Sequence, residues 1–349
     1  MTMRTIDFRF RVIRDGGDFC LLHPANDSMP VLSMDDKNSI KTGLSGAFLF
    51  PEADVNWLTD EIRPEMILNG VTYRLGVFLP NKVSEKDDGI LKYLQITAFD
   101  RGWLVRDHHA ESRPFFAVGT NYLEAVGSAL ASSGIVHIAE IPTTETLSED
   151  REDWEVGDSW LDVANKLLKE INYEDIWFDS DGACVLEPIS TPSAENIEHI
   201  LNEDDVESMI TPGLELTTDF CETPNVFICV CSNADKSAAM TAIGENTNPQ
   251  SPLSIARRGR RIATVVQVDN IASQEELQVF ADRQVTDSML TGETIQVQTA
   301  LLPGFGVGDV TALRYGNILS VCKERAWSMQ LGVGGKMTHT LERVIMNLG

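Results

Sequence analysis

The residues of this chain that could carry chemistry are few. Asp107, His108, His109 and Glu111 form the densest group of potential metal ligands. Adjacent histidines point apart on a helix or a strand, and no second ligand pair follows at the spacing of a zinc site. The pattern therefore favours a solvated connector. One hypothesis for function, which we rank third, is a metal-dependent hydrolase in which His108 or His109 binds an ion together with carboxylates.

Motifs for nucleophilic catalysis and for phosphate or calcium binding fail at the spacing that each chemistry needs. No serine lies in a Gly-x-Ser-x-Gly elbow. Residues 334–336 read Gly-Gly-Lys, but Met337 stands where a phosphate-binding loop places a Ser or Thr for Mg²⁺. Residues 304–308 precede a strand rather than a helix, and residues 179–182 lack the first carboxylate of a calcium loop. We interpret all three segments as turns and expect a protein that is not an enzyme, with no cofactor and no metal.

The one basic run in the sequence is a group of four arginines. They are Arg257, Arg258, Arg260 and Arg261. The run has no interleaved aromatic residues that could stack on bases, as single-strand nucleic-acid binders do. Charge complementarity then favours an acidic protein surface as the partner. We expect these arginines to make inter-subunit contacts with an acidic neighbour.

The amino-acid composition also favours a protein partner over nucleic acid. The 349 residues include 28 Lys+Arg against 53 Asp+Glu, a formal charge of −25. Such a chain repels phosphate backbones and anionic membranes, and its length predicts more than one domain. Six scattered cysteines without C-x-x-C spacing are expected to be reduced thiols. With no apolar run long enough to span a bilayer and no signal peptide after Met1, we expect synthesis in a cytoplasm and no membrane insertion.

The elements that must position these residues are mostly strands. Apolar and polar residues alternate over residues 6–12, and glycine-containing turns at residues 15–17 and 69–70 predict tight hairpins. Apolar, β-branched runs at residues 226–230 and 262–268 predict buried strands. One helix interrupts this last third, with an apolar stripe and a Ser273/Glu276 capping box at its start.

The middle of the chain repeats a helical signature. Residues 119–124 and 157–162 match type for type, each with a capping residue, Asn121 or Ser159, ahead of an apolar stripe. The acidic stretch between the two signatures is expected to be a solvated loop. These patterns divide the chain into an N-terminal β-barrel-like domain (1–112), an α/β insert domain (113–200) and a C-terminal β-barrel-like domain with one helix (201–349).

Several short patterns occur in an order that is known from one family. They are Asn56-Trp57-Leu58 with Asp60, Ile62 and Pro64; residues 73–78; residues 96–100; residues 122–126; residues 157–160; the turn at 179–182; Pro224-Asn225-Val226; residues 248–252 with Ser254 and Gly259; and Pro303 with residues 308–310. With this collinear set over nearly its whole length, the chain resembles the tail hub (baseplate hub) proteins of tailed bacteriophages.

The resemblance implies an architectural protein. Its fold would be α+β and mostly β, with two tube-like β-barrel domains flanking a small α/β domain. Three copies would form a ring that caps the distal tail tube, with tail tube, distal tail, fibre and tip proteins as partners. The location would be the distal end of the virion tail. Because the sequence ends soon after its closing strands, we expect any hydrolase or receptor-binding module to come from partners.

Charge and aromatic content bear on two details of this hypothesis. Three copies at −25 each would carry −75 formally, so an acidic lumen would let DNA pass without specific binding. The second hypothesis is a tail-tip adhesin that binds a receptor or a carbohydrate. It would be favoured if exposed aromatic side chains lined a pocket, the candidates being Trp57, Trp103, Trp154 and Trp327.

Overall fold

The chain forms two compact units in a computed structural model that describes residues 4–26, 28–87, 89–190, 192–205, 208–218, 223–231, 240–249, 251–268, 274–290 and 293–343. Unit 1 comprises Met1–Thr191, Thr299–Gly308 and Arg325–Thr338, and unit 2 comprises Pro192–Gln298, Asp309–Glu324 and His339–Gly349. The fold is α+β and mostly β, as predicted. The finer division into three domains stays a prediction.

The N-terminal part of unit 1 is built from eight strands. They are β1 (Ile6–Arg14), β2 (Gly17–Leu22), β3 (Val31–Asp35), β4 (Thr42–Phe48), β5 (Glu61–Leu68), β6 (Val71–Arg74), β7 (Leu79–Asp87) and β8 (Lys92–Phe99). One antiparallel sheet has the order β2-β1-β5-β6, and a second antiparallel set runs β3-β4-β8-β7. The ring of Phe10 in β1 meets that of Phe48 in β4 edge to face at 5.2 Å, so buried aromatic side chains of the two sheets are in contact.

Both predicted hairpins of this region are confirmed. Asp15 and Gly16 have φ of 51° and 77°, and Asn69 and Gly70 have φ of 52° and 84°. Two successive residues with positive φ are the requirement of a two-residue turn whose twist matches the flanking strands. Asn and Asp reach this conformation because their short polar side chains tolerate it, and glycine does so without strain.

The middle of unit 1 contains three helices and a small sheet. The elements are α1 (Gly102–Asp107), α2 (Tyr122–Ser132), β9 (Ile138–Glu140), α3 (Trp160–Glu170), β10 (Trp177–Phe178) and β11 (Cys184–Leu186). The two predicted helices are confirmed, with caps at the predicted residues: Asn121 Oδ1 accepts from the Leu123 amide at 2.8 Å, and Ser159 Oγ accepts from the Leu161 amide at 3.1 Å. The stripes of α2 and α3 share one core with side chains from the small sheet.

The acidic stretch before α3 is more ordered than the expected solvated loop. Its carboxylates are exposed, but Leu147, Arg151 and Trp154 are buried in the same stretch. The indole of Trp154 meets the Phe116 ring edge to face at 5.6 Å. Arg151 is ion-paired with Asp153 and Glu170. The charge pattern predicted the solvated residues and missed the apolar anchors between them.

Unit 2 and the closing segments contain the remaining elements. They are β12 (His199–Asn202), β13 (Leu214–Thr218), β14 (Val226–Cys231), β15 (Met240–Glu245), α4 (Ile255–Arg258), β16 (Ala263–Val268), α5 (Gln274–Leu290), β17 (Glu293–Thr299), β18 (Val310–Tyr315), β19 (Ile318–Gln330) and β20 (Met337–Arg343). β12 runs parallel to β18, β18 is antiparallel to β19, and β13 is antiparallel to β17. The Gly-Gly-Lys segment is the predicted turn between β19 and β20, closed by a 3.0 Å bond from the Gly335 amide to the Gly332 carbonyl.

A three-stranded sheet of unit 2 packs against α5. Its order is β15-β14-β16, with β14 antiparallel to β15 and parallel to β16. Phe227, Cys229 and Ala242 face Leu277 and Ala281 of the helix in one apolar cluster. The predicted stripe of the helix is therefore confirmed, while the Ser273/Glu276 capping box lies outside the described residues and side chains.

The five described cysteines are free thiols, and four of them are buried. Burial raises the pKa of the Cys322 thiol to about 12. Cys221 lies outside the described residues. No helix in the described part of the chain is long and apolar enough to cross a bilayer.

Gly244 sets how closely α5 approaches β15. A Cβ at Gly244 would lie 2.3 Å from the Ala281 carbonyl oxygen, and this carbonyl belongs to the helix backbone. We expect Gly244→Ala to destabilise the protein by about 2 kcal/mol, because helix or strand must shift to accept the methyl group. Gly127→Ala in α2 is the control: nothing lies within 4 Å of its Cβ. We expect that change to stabilise by about 0.5 kcal/mol. Urea denaturation measures both, and equal stability of G244A and wild type would contradict this packing.

The two capping side chains should contribute measurably to stability. Asn121→Ala and Ser159→Ala should each cost about 1 kcal/mol, because a helix-terminal amide loses its acceptor. The Asn121 change should cost more, because its Nδ2 also donates to the Thr143 carbonyl at 2.8 Å. Ser132→Ala, at the other end of α2, should stay within about 0.5 kcal/mol of wild type. Denaturant melts of the three variants compare them directly, and identical midpoints for all three would rule out the capping role.

Candidate functional site

The arginine run lies at one end of the β15-β14-β16 sheet. Arg257 and Arg258 belong to the short helix α4, where Ser254 Oγ accepts from the Arg257 amide at 3.3 Å. The buried Asn225 fixes the run to the sheet: its Nδ2 donates to the Arg260 carbonyl at 3.0 Å, and its Oδ1 accepts from the Ile262 amide at 2.7 Å. The backbone at the end of the arginine run is therefore fixed to the sheet by a buried amide side chain whose hydrogen bonds are satisfied.

The four guanidinium groups have different surroundings within the chain. Arg261 is ion-paired with Glu245, and this hydrogen bond lowers the pKa of the Glu245 carboxyl below its ordinary value. Arg258 donates to the Thr223 carbonyl and is half-buried. The Arg257 side chain is exposed, although its Nε donates to the Pro249 carbonyl at 3.0 Å, and Arg260 is exposed as well. Arg261 is exposed as well, but Glu245 already balances its charge, so Arg257 and Arg260 are the exposed members that we consider for contact with another molecule.

An apolar row crosses the outer face of the same sheet. α5 covers one face, so the side chains that alternate with the covered ones point away from the helix. Ile228 pairs with Ile243 on one side and with Val265 on the other, so these three side chains lie in register across the three strands. Ile243 is 47% exposed and Val265 is 60% exposed. Exposed β-branched side chains in one row form a patch of the kind that binds partners.

We name the arginine run and the apolar row of this sheet together the basic face: Arg257, Arg260, Ile228, Ile243 and Val265. Alternate residues of a strand point to the same side and are roughly 7 Å apart. Arg261 precedes β16 by two residues and is ion-paired with Glu245, which lies two residues beyond Ile243 on β15, so the basic run begins where the apolar row ends. The arginines are apparent from the sequence, but the strands at 226–230 and 262–268 were predicted to be buried, because only the position of α5 shows which side of each strand is open.

The histidines of the predicted metal-like cluster have neutral partners. The Nδ1 of His108 lies 3.3 Å from Ser133 Oγ, and the Nδ1 of His109 lies 2.8 Å from the Gly157 carbonyl. His109 also forms a β-bridge with Ser159, so the segment is paired rather than a free connector. Nowhere in the described ranges do three His, Cys, Asp or Glu side chains group as metal ligands. The hydrolase hypothesis therefore lacks the convergence that it requires.

The tryptophans of the adhesin hypothesis are not displayed on the surface. Trp103 stacks on Phe99 at 5.3 Å and is half-buried, as is Trp57. Trp154 and Trp327 are buried. Trp327 lines a recess of about 150 Å³ in unit 1, but the recess holds less than a typical ligand pocket. These four tryptophans therefore do not form the exposed aromatic surface that would favour an adhesin.

Two buried or half-buried His–carboxylate pairs in unit 2 were not predicted. Nδ1 of His339 lies 3.0 Å from Glu324 Oε2, and both side chains are fully buried. Nε2 of His199 lies 2.7 Å from Asp309 Oδ2. Burial raises the pKa of Glu324, and the neighbouring His339 opposes that shift. These residues are 15 and 110 positions apart in the sequence, so no local pattern could have paired them.

The fold is similar to solved tail proteins. No family model and no curated protein matches this chain. The tail protein from Neisseria meningitidis MC58 superposes with a TM-score of 0.68 at 14% identity, covering 96% of each chain. The prophage MuSo2 43 kDa tail protein from Shewanella oneidensis superposes with a TM-score of 0.68 at 9% identity, covering 97% of this chain and 99% of that chain. A third solved structure is an Escherichia coli component of the type VI secretion system, described as structurally similar to T4 tail proteins gp27 and gp5. It superposes with a TM-score of 0.51 at 10% identity, covering 91% of this chain and 73% of that chain. The predicted resemblance is thus confirmed for the fold.

The buried Glu324–His339 pair generates a pH-dependent prediction. Because burial holds the pKa of Glu324 above its unfolded value, its neutral form stabilises the native state fully below the unfolded pKa. This contribution is lost as the pH rises through the folded pKa. Glu324→Gln removes that loss, so its stability relative to wild type should increase as the pH is raised from 5 to 8. Urea melts across this range, with the exposed Glu52→Gln as control, measure the difference; a flat or falling difference would contradict the assignment.

Proposed function

We propose that this chain is a structural, non-enzymatic component of a bacteriophage tail. The observation that carries the proposal is the similarity of nearly the whole chain to two solved tail proteins, including both units and the α/β part between the strands. A match confined to one barrel would be compatible with many functions, because small β folds recur widely. A match over more than nine tenths of each chain involves the complete arrangement of elements. The proposed location is the virion tail.

Within the tail, we propose a hub that forms a ring at the distal end of the tail tube. The similarity to a secretion component described as resembling T4 tail proteins gp27 and gp5 supports a hub over other tail parts. A closed ring of identical copies is the usual solution when one chain must form a symmetric joint. We propose three copies, with tail tube, distal tail and fibre or tip proteins as neighbours.

The charge of the chain supports passage of DNA through such a ring. Each copy carries a formal −25, so an assembled ring repels the phosphate backbone unless arginines and lysines collect at its inner wall. Repulsion prevents counterion-release binding, which is the main source of non-specific affinity for DNA. The proposed lumen is therefore one along which DNA slides without specific contacts.

The proposal is tested by the size and shape of the purified chain. Light scattering at physiological salt is expected to give three times the chain mass, and negative-stain images are expected to show a threefold ring with a central pore. Measurement at several concentrations distinguishes a stable ring from transient association. A monomer at every concentration, with no pore in the images, would contradict the hub.

A further inference from the structure

Two surfaces of this chain have opposite charge, and each contains exposed apolar side chains. One is the basic face of unit 2. The second, in unit 1, is the pair of extended segments that precede α2 and α3, residues 109–119 and 147–159, which we name the acidic ribbon. We propose that the basic face of one copy binds the acidic ribbon of a second copy. This inference rests on the proposed ring, and it identifies the surfaces that would join neighbouring copies.

The acidic ribbon is an ordered structure. Its two segments run antiparallel: Phe116 and Arg151 exchange backbone hydrogen bonds of 3.0 and 2.8 Å, and the Gly119 amide donates to the Leu147 carbonyl at 2.8 Å. At the other end, the Ala110 amide donates to the Asp158 carbonyl at 2.9 Å. The buried Phe116 and Trp154 rings anchor it to the core below. A partner would therefore meet a surface whose backbone is already fixed, which lowers the entropy cost of binding.

Apolar side chains project from the ribbon into solvent. Phe115 and Val118 are each 57% exposed, and Val156 is 62% exposed. The same two segments place the Phe116 and Trp154 rings in the core, so they contribute both buried anchors and exposed apolar side chains. Phenylalanine and valine on a fixed, open backbone are typical of an interface that is completed by another molecule.

The ribbon is strongly acidic at its surface. Residues 109–119 and 147–159 contain seven Asp and Glu residues and two arginines. Both arginines are engaged locally: Arg113 with Glu155, and Arg151 with Asp153 and Glu170. Glu111 and Glu152 are exposed, one toward each end of the ribbon. The net field of this surface therefore attracts exposed arginines.

The match between the two surfaces is one of charge and of chemical type. The basic face combines the exposed Arg257 and Arg260 with an exposed apolar row, and the acidic ribbon combines carboxylates with Phe115, Val118 and Val156. Because each chain has a formal charge of −25, any neighbouring copy of the chain can supply the acidic partner that the arginines require. Because the two patches differ, the contact is heterologous, and such contacts close into rings when the rotation between copies is right.

The experiment uses charge reversal in the full-length chain. R257E/R260E makes the basic face acidic, and E111K/E152K makes the ribbon more basic. Each double variant should raise the concentration for half-assembly at least tenfold, measured by light scattering at physiological salt, because like charges then meet at the joint. The four substitutions combined in one chain restore opposite charges and should restore assembly to within about threefold of wild type. R9E/K82E, an equal charge change at exposed positions of unit 1, is the matched control and should assemble as wild type.

The outcomes separate this inference from the proposed ring. If wild type forms a ring and either double variant forms it equally well, the two surfaces are not joined and the hub proposal stands. If wild type is monomeric, the hub proposal itself fails. Loss of assembly in both double variants without recovery in the combined variant would also overturn the pairing. Far-ultraviolet circular dichroism and thermal melts check folding, and R257Q/R260Q, with a smaller expected loss, replaces the reversal if R257E/R260E does not fold.

Nucleic acid is the competing occupant of the basic face, and it is tested with the same variants. A labelled DNA duplex at physiological salt should show no binding to wild type by fluorescence anisotropy. Binding that R257E/R260E abolishes, with assembly unchanged, would overturn the inference and assign the arginines to DNA.

Discussion

The contact of α5 with β15 at Gly244 is the constraint on which the candidate site depends. A sheet has two faces, and the helix can cover only one of them. Because the Ala281 carbonyl lies against Gly244, the helix backbone comes close to the strand and buries Cys229 and Ala242. The opposite face, with Ile243 and Val265, is left for solvent or for a partner. The apolar row beside the arginines is a consequence of this one packing choice.

In the middle of unit 1, the caps of the two helices fix where each helix begins. Asn121 and Ser159 begin α2 and α3, and the segments just before them pair with each other. In these paired segments Phe116 and Trp154 are buried, whereas Phe115 and Val156 are exposed. The ribbon ahead of the two capped helices thus has buried aromatic anchors and an exposed surface that is acidic and partly apolar.

The buried polar groups of unit 2 constrain the arrangement of its strands. The Glu324–His339 pair satisfies one carboxylate oxygen and one ring nitrogen, at the cost of desolvating both groups. Pairs of this kind restrict which strand arrangements are tolerated, because any other partner would leave a buried group without a hydrogen bond. The architecture of the unit therefore depends on long-range polar contacts as well as on apolar burial.

The sequence by itself determined the local features of this protein: the hairpins at Asp15-Gly16 and Asn69-Gly70, the two capped helices, the apolar stripe of α5 and the basic run at residues 257–261. These depend on residues a few positions apart, whose steric and hydrogen-bonding preferences act wherever the segment lies. Only the tertiary structure decided which face of each strand is open, that Leu147 and Trp154 anchor an acidic stretch, and that Glu324 meets His339. Those outcomes depend on which distant segment arrives to cover a surface, and no short-range periodicity contains that information.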